Sequence, residues 1–183
     1  MEGNCITLKF HNGKLLKRVL DRLRASNIKI CEGSGLLVSD LSGDIIISNE
    51  QEIDYELGKI LCYYRNKKYF NELLIGIDVN GYNSTIAVIG DGELLVSKVV
   101  TSDLVVEELK KFLTTYPHKL QSIGIGIGNS QAYEVYKIIS KHFPITPVKE
   151  DRTSSNTKEV NIKDRDARAA YRIAFRATTY ELK

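Results

Sequence analysis

The first candidate for chemistry is a single carboxylate, Asp78, which directly follows the apolar run of residues 73–77 (LLIGI). That run is too short for an independent helix and predicts a buried strand. A turn at Gly81 then reverses the chain. A charge near the core is costly unless it meets a partner or a metal ion, so Asp78 is a candidate metal ligand. In the alternative interpretation, its carboxylate accepts hydrogen bonds from the amides of its own turn.

Further acidic residues occur in two segments near the C-terminus. Glu150 and Asp151 follow the short apolar segment 144–148 (PITPV), and Asp164 and Asp166 open a final helical pattern. Carboxylates from separate segments can hold a hard cation such as Mg²⁺ or Mn²⁺ if the fold brings them to one point. Whether they meet depends on the strands and helices between them.

The region around Asp78 predicts a β-meander followed by alternating helices and strands. Residues 85–89 predict a second strand and residues 93–99 a third, joined by a Gly90-Asp91-Gly92 turn. The apolar spacing then predicts a helix at 103–116 with Asp103 as its cap, a strand at 122–128, a helix at 130–142, a strand at 144–148, a polar loop at 149–161 and a final helix.

Residues 1–70 predict a separate, small α+β domain, and residues 71–183 a second domain. The first domain has helical patterns at 14–26 and 50–69 and short strand patterns at 6–10, 28–31, 35–38 and 44–48. Its sequence contains no catalytic constellation. Lys67-Lys68 marks the predicted boundary.

The composition predicts a globular, cytoplasmic protein without membrane association. Hydrophobic residues make up 43% and charged residues 27% of the chain. No apolar run approaches the roughly 18 residues that span a bilayer, and the N-terminus lacks the features of a signal peptide. Cys5, Cys31 and Cys62 are widely spaced, which argues against a zinc site or a disulfide framework and for a reducing compartment. Cys31 and Cys62 are predicted to be small core residues.

The net charge of +3 is unevenly distributed along the chain. Residues 71–136 carry 4 basic and 8 acidic side chains, a net charge of −4, whereas residues 137–183 carry 11 and 6, a net charge of +5. An acidic centre beside a basic C-terminal third suits a metal site flanked by a surface for a polyanion. Solvated helix faces would give a similar count, so both interpretations stay open.

The predicted order of strands and helices in residues 71–183 resembles the RNase H-like fold, an α/β fold with a mixed five-stranded sheet and flanking helices. In that fold the first three strands are antiparallel, and the later ones join in parallel through right-handed crossovers. The carboxyl ends of its first, fourth and fifth strands and the start of its last helix converge on one site. The resemblance therefore implies that Asp78, Glu150-Asp151 and Asp166 meet there.

Three local motifs resemble those of the RuvC/YqgF group of Holliday-junction resolvases and pre-ribosomal-RNA nucleases. Residues 75–78 (IGID) resemble the group's opening G-I-D. Residues 149–155 (KEDRTSS) resemble its D-E-R-[LFM]-[ST]-[ST], and residues 166–173 (DARAAYRI) resemble its D-x-x-A-A-x-x-I. The resemblance covers about residues 73–183 and leaves out the N-terminal domain.

The chain departs from the resolvase pattern at two places. Asn80-Gly81 stands where resolvases usually have a glycine sooner after the aspartate, and Gly128-Asn129 stands where RuvC-type resolvases carry a glutamate. Because the YqgF branch lacks that acid, the resemblance is closer to this branch. Glu150 and Asp151 compete for the motif's acidic position, and Asp151 is favoured because it directly precedes Arg152. Asp164 is interpreted as a first-turn helix acid.

The resemblance implies metal-assisted hydrolysis of phosphodiester bonds in a DNA junction or a structured RNA. The implied mechanism uses two cations, Mg²⁺ or Mn²⁺: Asp78 would contact both, and Asp151 and Asp166 would each hold one, with Glu150 as a further catalytic candidate. The basic residues implied to contact phosphates are Lys149, Arg152, Lys158, Arg165 and Arg168. A homodimer is implied by analogy, because a four-way junction has two cuts to make.

The alternative hypothesis is a non-catalytic RNase H-like module that binds nucleic acid or a protein partner. Asn129 in place of an acid and the modest net charge both favour it. Metal binding at the three aspartates separates the two hypotheses, because a nuclease of this kind requires it and a binding module does not.

Overall fold

The computed structural model describes residues 4–149, 162 and 164–180. The chain divides into two compact units. The first comprises Met1–Phe70 and Lys111–His118, and the second comprises Asn71–Lys110 and Lys119–Lys183. Residues 111–118 therefore group with the first unit rather than with their neighbours in the sequence.

The first unit contains a small parallel sheet and two amphipathic helices. Its elements are β1 (Ile6–Lys9), α1 (Gly13–Ala25), β2 (Leu36–Ser39), β3 (Ile45–Ile46) and α2 (Glu50–Tyr64). The strands lie in the order β1-β2-β3, and both neighbouring pairs are parallel. Parallel neighbours are usually joined by a long crossover connection, which α1 supplies between β1 and β2, whereas only residues 40–44 connect β2 with β3.

Two side chains fix the start of helix α1. One is an asparagine that caps the helix, and the other is a largely buried carboxylate that binds the residues before it. The Oδ1 atom of Asn12 accepts hydrogen bonds from the backbone N–H groups of Lys14 and Leu15. The Asp40 carboxylate, after β2, accepts from the backbone N–H groups of His11 and Asn12. Burial raises the pKa of Asp40, but these hydrogen bonds outweigh it and hold the pKa below its usual value. The hydrogen bonds to Asp40 connect the residues before α1 to the end of β2.

The structure joins Cys5 and Cys31 in a disulfide, so the argument from cysteine spacing against disulfides is wrong. An isolated parallel bridge pairs Ile6 with Ile30, which brings the two cysteine Cα atoms to 5.9 Å although 26 residues separate them in the sequence. That Cα separation suits a disulfide. Cys62 is buried and forms no disulfide with the other two cysteines, as predicted for a small core residue.

The second unit is built on a mixed five-stranded sheet with flanking helices. Its elements are β4 (Phe70–Asn80), β5 (Asn83–Gly90), β6 (Glu93–Thr101), α3 (Val105–Thr115), β7 (His118–Gly126), α4 (Ser130–Ile139), β8 (Thr146–Val148) and α5 (Arg165–Tyr180). The first residue of β4, the end of α3 from residue 111 and the first residue of β7 group with the first unit. The strand order is β6-β5-β4-β7-β8. None of the helices in the described ranges is long and apolar enough to cross a membrane.

The α/β class, the meander and the alternating helices and strands agree with the sequence prediction. Strands β4, β5 and β6 pair in antiparallel fashion and β7 pairs with β8 in parallel. Two details differ. Strand β4 continues to Asn80, so Asp78 lies inside the strand rather than at its tip. Asp103 lies within a 3-10 turn, Ser102–Leu104, that precedes α3, so it is not the cap of that helix.

Helix α5 lies unusually close to the sheet because two glycines face it. A Cβ atom added to Gly76 on β4 would overlap the carbonyl oxygen of Ala170 and lie 2.6 Å from the backbone N of Ala174. A Cβ atom added to Gly124 on β7 would lie 2.7 Å from the Cβ of Ala177. Small residues on both surfaces therefore let the backbones of strand and helix approach directly.

The buried clusters around α5 fix its direction relative to β4. Leu74 packs with Ile89 and Ala174, with the partly buried Tyr171 and Phe175 beside them. Gly76, two residues further along β4, instead meets Ala170 and Ala174. Moving forward along β4 thus corresponds to moving backward along α5, so the two elements are antiparallel.

The close approach predicts that Gly76→Ala destabilises the second unit by about 2–4 kcal/mol, because the new methyl group meets backbone that cannot rotate away. Urea denaturation followed by circular dichroism measures the effect. Gly13→Ala is the control, since nothing lies within 4 Å of its added Cβ, and its effect should stay below about 1 kcal/mol. Equal stabilities of the two variants would contradict the packing described here.

Candidate functional site

Asp78 lies on the face of the sheet that α5 covers. Alternate residues of a strand share a face, and Leu74 and Gly76 both contact α5. Asp78 is the next residue on that face, and its cross-strand partner on β5 is Thr85. Thr85 is 4% exposed, whereas Asp78 is only partly buried. The strand pair therefore presents a carboxylate at the rim of the helix-covered face, with a hydroxyl group opposite it.

The packing register leads us to infer that Asp166 lies at the level of Asp78. Asp78 is two residues beyond Gly76 on β4, an advance of about 6.6 Å along a strand. Asp166 is four residues before Ala170 on α5, an advance of about 6 Å along a helix and on the same helical face. Because the elements are antiparallel and Gly76 meets Ala170, both steps lead in the same direction. We therefore infer that the two carboxylates lie at one level of the sheet, one on a strand and one on a helix.

The other acid at this helix end has a structural role. The Oδ1 atom of Asp164 accepts a hydrogen bond of 2.7 Å from the backbone N–H of Ala167, so Asp164 is the N-cap of α5. The sequence predicts that Asp164 is an acid of the first helical turn and not a metal ligand. The structure places it one position earlier, at the N-cap, and agrees that it belongs to the helix. Asp166, in the first turn, makes no such capping bond among the described contacts.

Asn129 joins the site to the start of α4. Its Oδ1 atom accepts from the backbone N–H of Ala132 at 2.8 Å, and its Nδ2 atom donates to the carbonyl oxygen of Val79 at 3.2 Å. Val79 is the residue after Asp78, so this side chain reaches the strand beside the carboxylate. A carboxylate at position 129 could keep the cap but could not donate to Val79. The amide therefore fixes the strand rather than offering a further acidic ligand.

The basic residues predicted to contact phosphates differ in what the structure shows of them. Lys149, directly after β8, and Arg165, the first residue of α5, are exposed. Arg168 is partly buried, and its Nη1 atom donates a 2.7 Å hydrogen bond to the carbonyl oxygen of Ile162. This bond gives Arg168 a structural role, because it connects α5 to the residue Ile162 that precedes the helix. The predicted site residues Glu150, Asp151, Arg152 and Lys158 lie outside the described residues.

The described residues supply part of a hard-cation site. Asp78 and Asp166 offer carboxylate oxygens, the ligands that Mg²⁺ and Mn²⁺ prefer, and both side chains are partly exposed. Within the described part of the chain, no group of three or more His, Cys, Asp or Glu side chains is arranged to hold a metal ion. Magnesium is commonly held by only one or two protein carboxylates, with water and substrate phosphates completing its shell, so the pair fits such an ion.

Sequence reasoning missed the position of Thr85 opposite Asp78 and the role of Asn129. The signal for Thr85 was present, because a two-residue hairpin at Gly81-Tyr82 sets Asp78 opposite Thr85 by counting alone. Asn129 was examined only as a missing acid. Its position directly before a helical pattern is typical of an N-cap, but its bond to Val79 follows from tertiary packing.

Comparison with known proteins found that no protein-family model and no curated protein matches the chain.

The two hydrogen bonds of Asn129 predict graded stability losses. Asn129→Ala removes the cap and the bond to Val79 and should cost about 1–3 kcal/mol of unfolding free energy. Asn129→Asp keeps the cap and should cost about 1 kcal/mol. Urea denaturation of both variants checks this order, and a larger loss in Asn129→Asp than in Asn129→Ala would contradict the assigned cap.

Proposed function

We propose that the protein is a metal-dependent nuclease that hydrolyses phosphodiester bonds in structured nucleic acid, either junction-like DNA or precursor RNA. The observation that carries this proposal is the register of α5 on β4, from which we infer that Asp78 and Asp166 lie at one level of the sheet. The mixed sheet with an antiparallel meander and a parallel extension supports the expected RNase H-like topology. In such a sheet, sites form near the carboxyl ends of strands, and Asp78 lies two residues before the end of β4.

Asp78 and Asp166 would hold a divalent cation, Mg²⁺ or Mn²⁺, with Asp151 or Glu150 as the third acidic ligand. Such a cation, when bound, lowers the pKa of an attacking water and stabilises charge on the leaving oxygen. Asp78 would take the central place, because it lies on a strand whose backbone is fixed by β5 on one side and by Asn129 near its end. A rigid strand holds a ligand more accurately than a loop does.

The exposed cations beside the acids would bind the substrate. Lys149 follows β8 and Arg165 begins α5, so both lie at element ends where a phosphate backbone can approach. Arg152 and Lys158 are proposed to extend this contact. Phosphate contacts of this kind orient the nucleic acid and carry no sequence information. The first unit is proposed to serve substrate choice or dimerisation.

The second candidate is a non-catalytic module of the same fold that binds nucleic acid or a protein partner. Asn129 favours it, because the amide occupies the position of a resolvase acid and is engaged by Val79 and Ala132. A module of this kind would keep the phosphate-binding cations without needing a cation between Asp78 and Asp166.

A cleavage assay with labelled substrates tests the proposal. Four-way junction, duplex DNA, RNA and RNA–DNA hybrid are each incubated with Mn²⁺, with Mg²⁺ and with chelator. We expect cleavage of at least one substrate that requires the metal and falls at least about 100-fold in Asp78→Asn and in Asp166→Asn, because each change removes a metal ligand.

Asp164→Asn is the matched control for these variants. It removes a carboxylate two residues from Asp166 on the same helix end, but asparagine caps a helix as well as aspartate does. Its activity should therefore equal that of the unaltered protein. Failure to cleave any of the four substrates, with Asp78→Asn binding them as the unaltered protein does, would favour the non-catalytic module.

A further inference from the structure

Tyr82 is held out into solvent at the tip of the β4–β5 hairpin. Its exposed fraction is 89%, the highest among the large hydrophobic and aromatic side chains of the described residues. A single exposed apolar side chain needs no explanation in itself. Tyr82 differs because it occupies a tight turn beside the proposed metal site, where a smaller polar residue is the usual choice.

The turn that carries Tyr82 is fixed. Asn80 and Asn83 are paired, so Gly81 and Tyr82 form a two-residue loop. Gly81 has a φ of +64°, and Tyr82 does not have a positive φ, which is the pattern of a type II′ hairpin turn with glycine first. The carbonyl oxygen of Tyr82 also accepts a 2.9 Å hydrogen bond from the backbone N–H of Ser102. The ring is therefore presented from an ordered backbone, which lowers the entropy lost when it binds a ligand.

The hairpin tip lies within reach of a substrate held at the carboxylates. Tyr82 is four residues beyond Asp78, and the strand carries the chain about 10 Å toward the tip before it turns. Stacked nucleotides repeat about every 3.4 Å along a strand, so this distance equals about three nucleotide steps. The neighbouring side chains on the turn, Asn80 and Asn83, are exposed and uncharged, so they do not repel a phosphate backbone.

The chemistry of this surface suits a nucleic-acid base. An aromatic ring stacks on the face of any base, and the tyrosine hydroxyl can remain in water while the ring is covered. Bases in a continuous duplex are covered by their neighbours, so only an unpaired or terminal base can stack on the ring.

We propose that Tyr82 stacks on an unpaired base of the substrate about three nucleotides from the scissile phosphate. The inference rests on the proposed nuclease function and deepens it: the substrate class is nucleic acid that exposes unpaired bases near the cut, such as a fork, a loop or a single strand. Tyr82 is a specificity-determining residue in this account and takes no part in metal binding.

Fluorescence quenching tests the stacking directly, because the chain contains no tryptophan. Tyr82→Trp in the Asp78→Asn background gives a single indole fluorophore in a protein that does not cleave during the titration. A single-stranded oligonucleotide, a forked duplex and a blunt duplex of the same sequence are titrated, and binding is followed independently by the anisotropy of labelled oligonucleotide. Leu120→Trp in the same background is the control, since Leu120 is 70% exposed and lies on β7, nine residues before Asn129 and therefore far from the hairpin tip.

We expect the single strand and the fork to quench the indole fluorescence of Tyr82→Trp strongly, the blunt duplex to quench it weakly, and none of them to quench the control. We also expect Tyr82→Ala to weaken binding of the single strand and the fork by about 5- to 100-fold, while Tyr82→Phe binds like the unaltered protein. Binding of the blunt duplex, which offers only its terminal bases for stacking, should change much less in Tyr82→Ala than binding of the single strand and the fork.

Two results overturn the proposal in distinguishable ways. If the oligonucleotides bind but the fluorescence of Tyr82→Trp is not quenched and Tyr82→Ala binds normally, the stacking role fails and the proposed nuclease function stands. If the unaltered protein binds no oligonucleotide at all, both the nuclease function and the stacking role fail.

Discussion

The second unit depends on one constraint, the contact of α5 with the sheet through Gly76 and Gly124. A side chain at either glycine would push the helix away, because the nearest atoms belong to the helix backbone or to Ala177. Since the interior is close-packed, a shift at this contact would displace the whole helix rather than one side chain. The same contact determines where the first turn of α5 lies along β4. The helix packing therefore also determines the position of Asp166.

The class and order of the elements in the second unit could be predicted because each element has a strong local signal. The apolar run at 73–77 and the Gly90-Asp91-Gly92 turn belong to a meander whatever lies around them. Strand ends were less predictable, since β4 continues past Asp78 only because Asn80 finds a partner in Asn83. The disulfide could not be read from cysteine spacing, because Cys5 and Cys31 meet through a strand bridge that is not local.

The candidate site was predictable only in part for the same reason. The sequence identified Asp78 and Asp166 from motifs, but their common level follows from which turn of α5 meets Gly76. The hydrophobic pattern of a helix predicts which face is buried, but it does not predict which turn of α5 packs against Gly76. In the sequence, Asn129 stands out only because it lacks the acid of the resolvases. In the structure its side chain binds the carbonyl oxygen of Val79 and caps α4. The segment with Glu150 and Asp151 lies outside the described residues, so the third acidic ligand stays a prediction.

Manganese binding tests the central claim, that Asp78 and Asp166 serve one cation, most directly. Calorimetric titration of Mn²⁺ into the unaltered protein, Asp78→Asn, Asp166→Asn and the double variant needs no substrate and no knowledge of the reaction. The account predicts that each single variant loses about tenfold or more in affinity and that the double variant loses little beyond this, because both acids bind the same ion. Unchanged Mn²⁺ affinity in both single variants would contradict it.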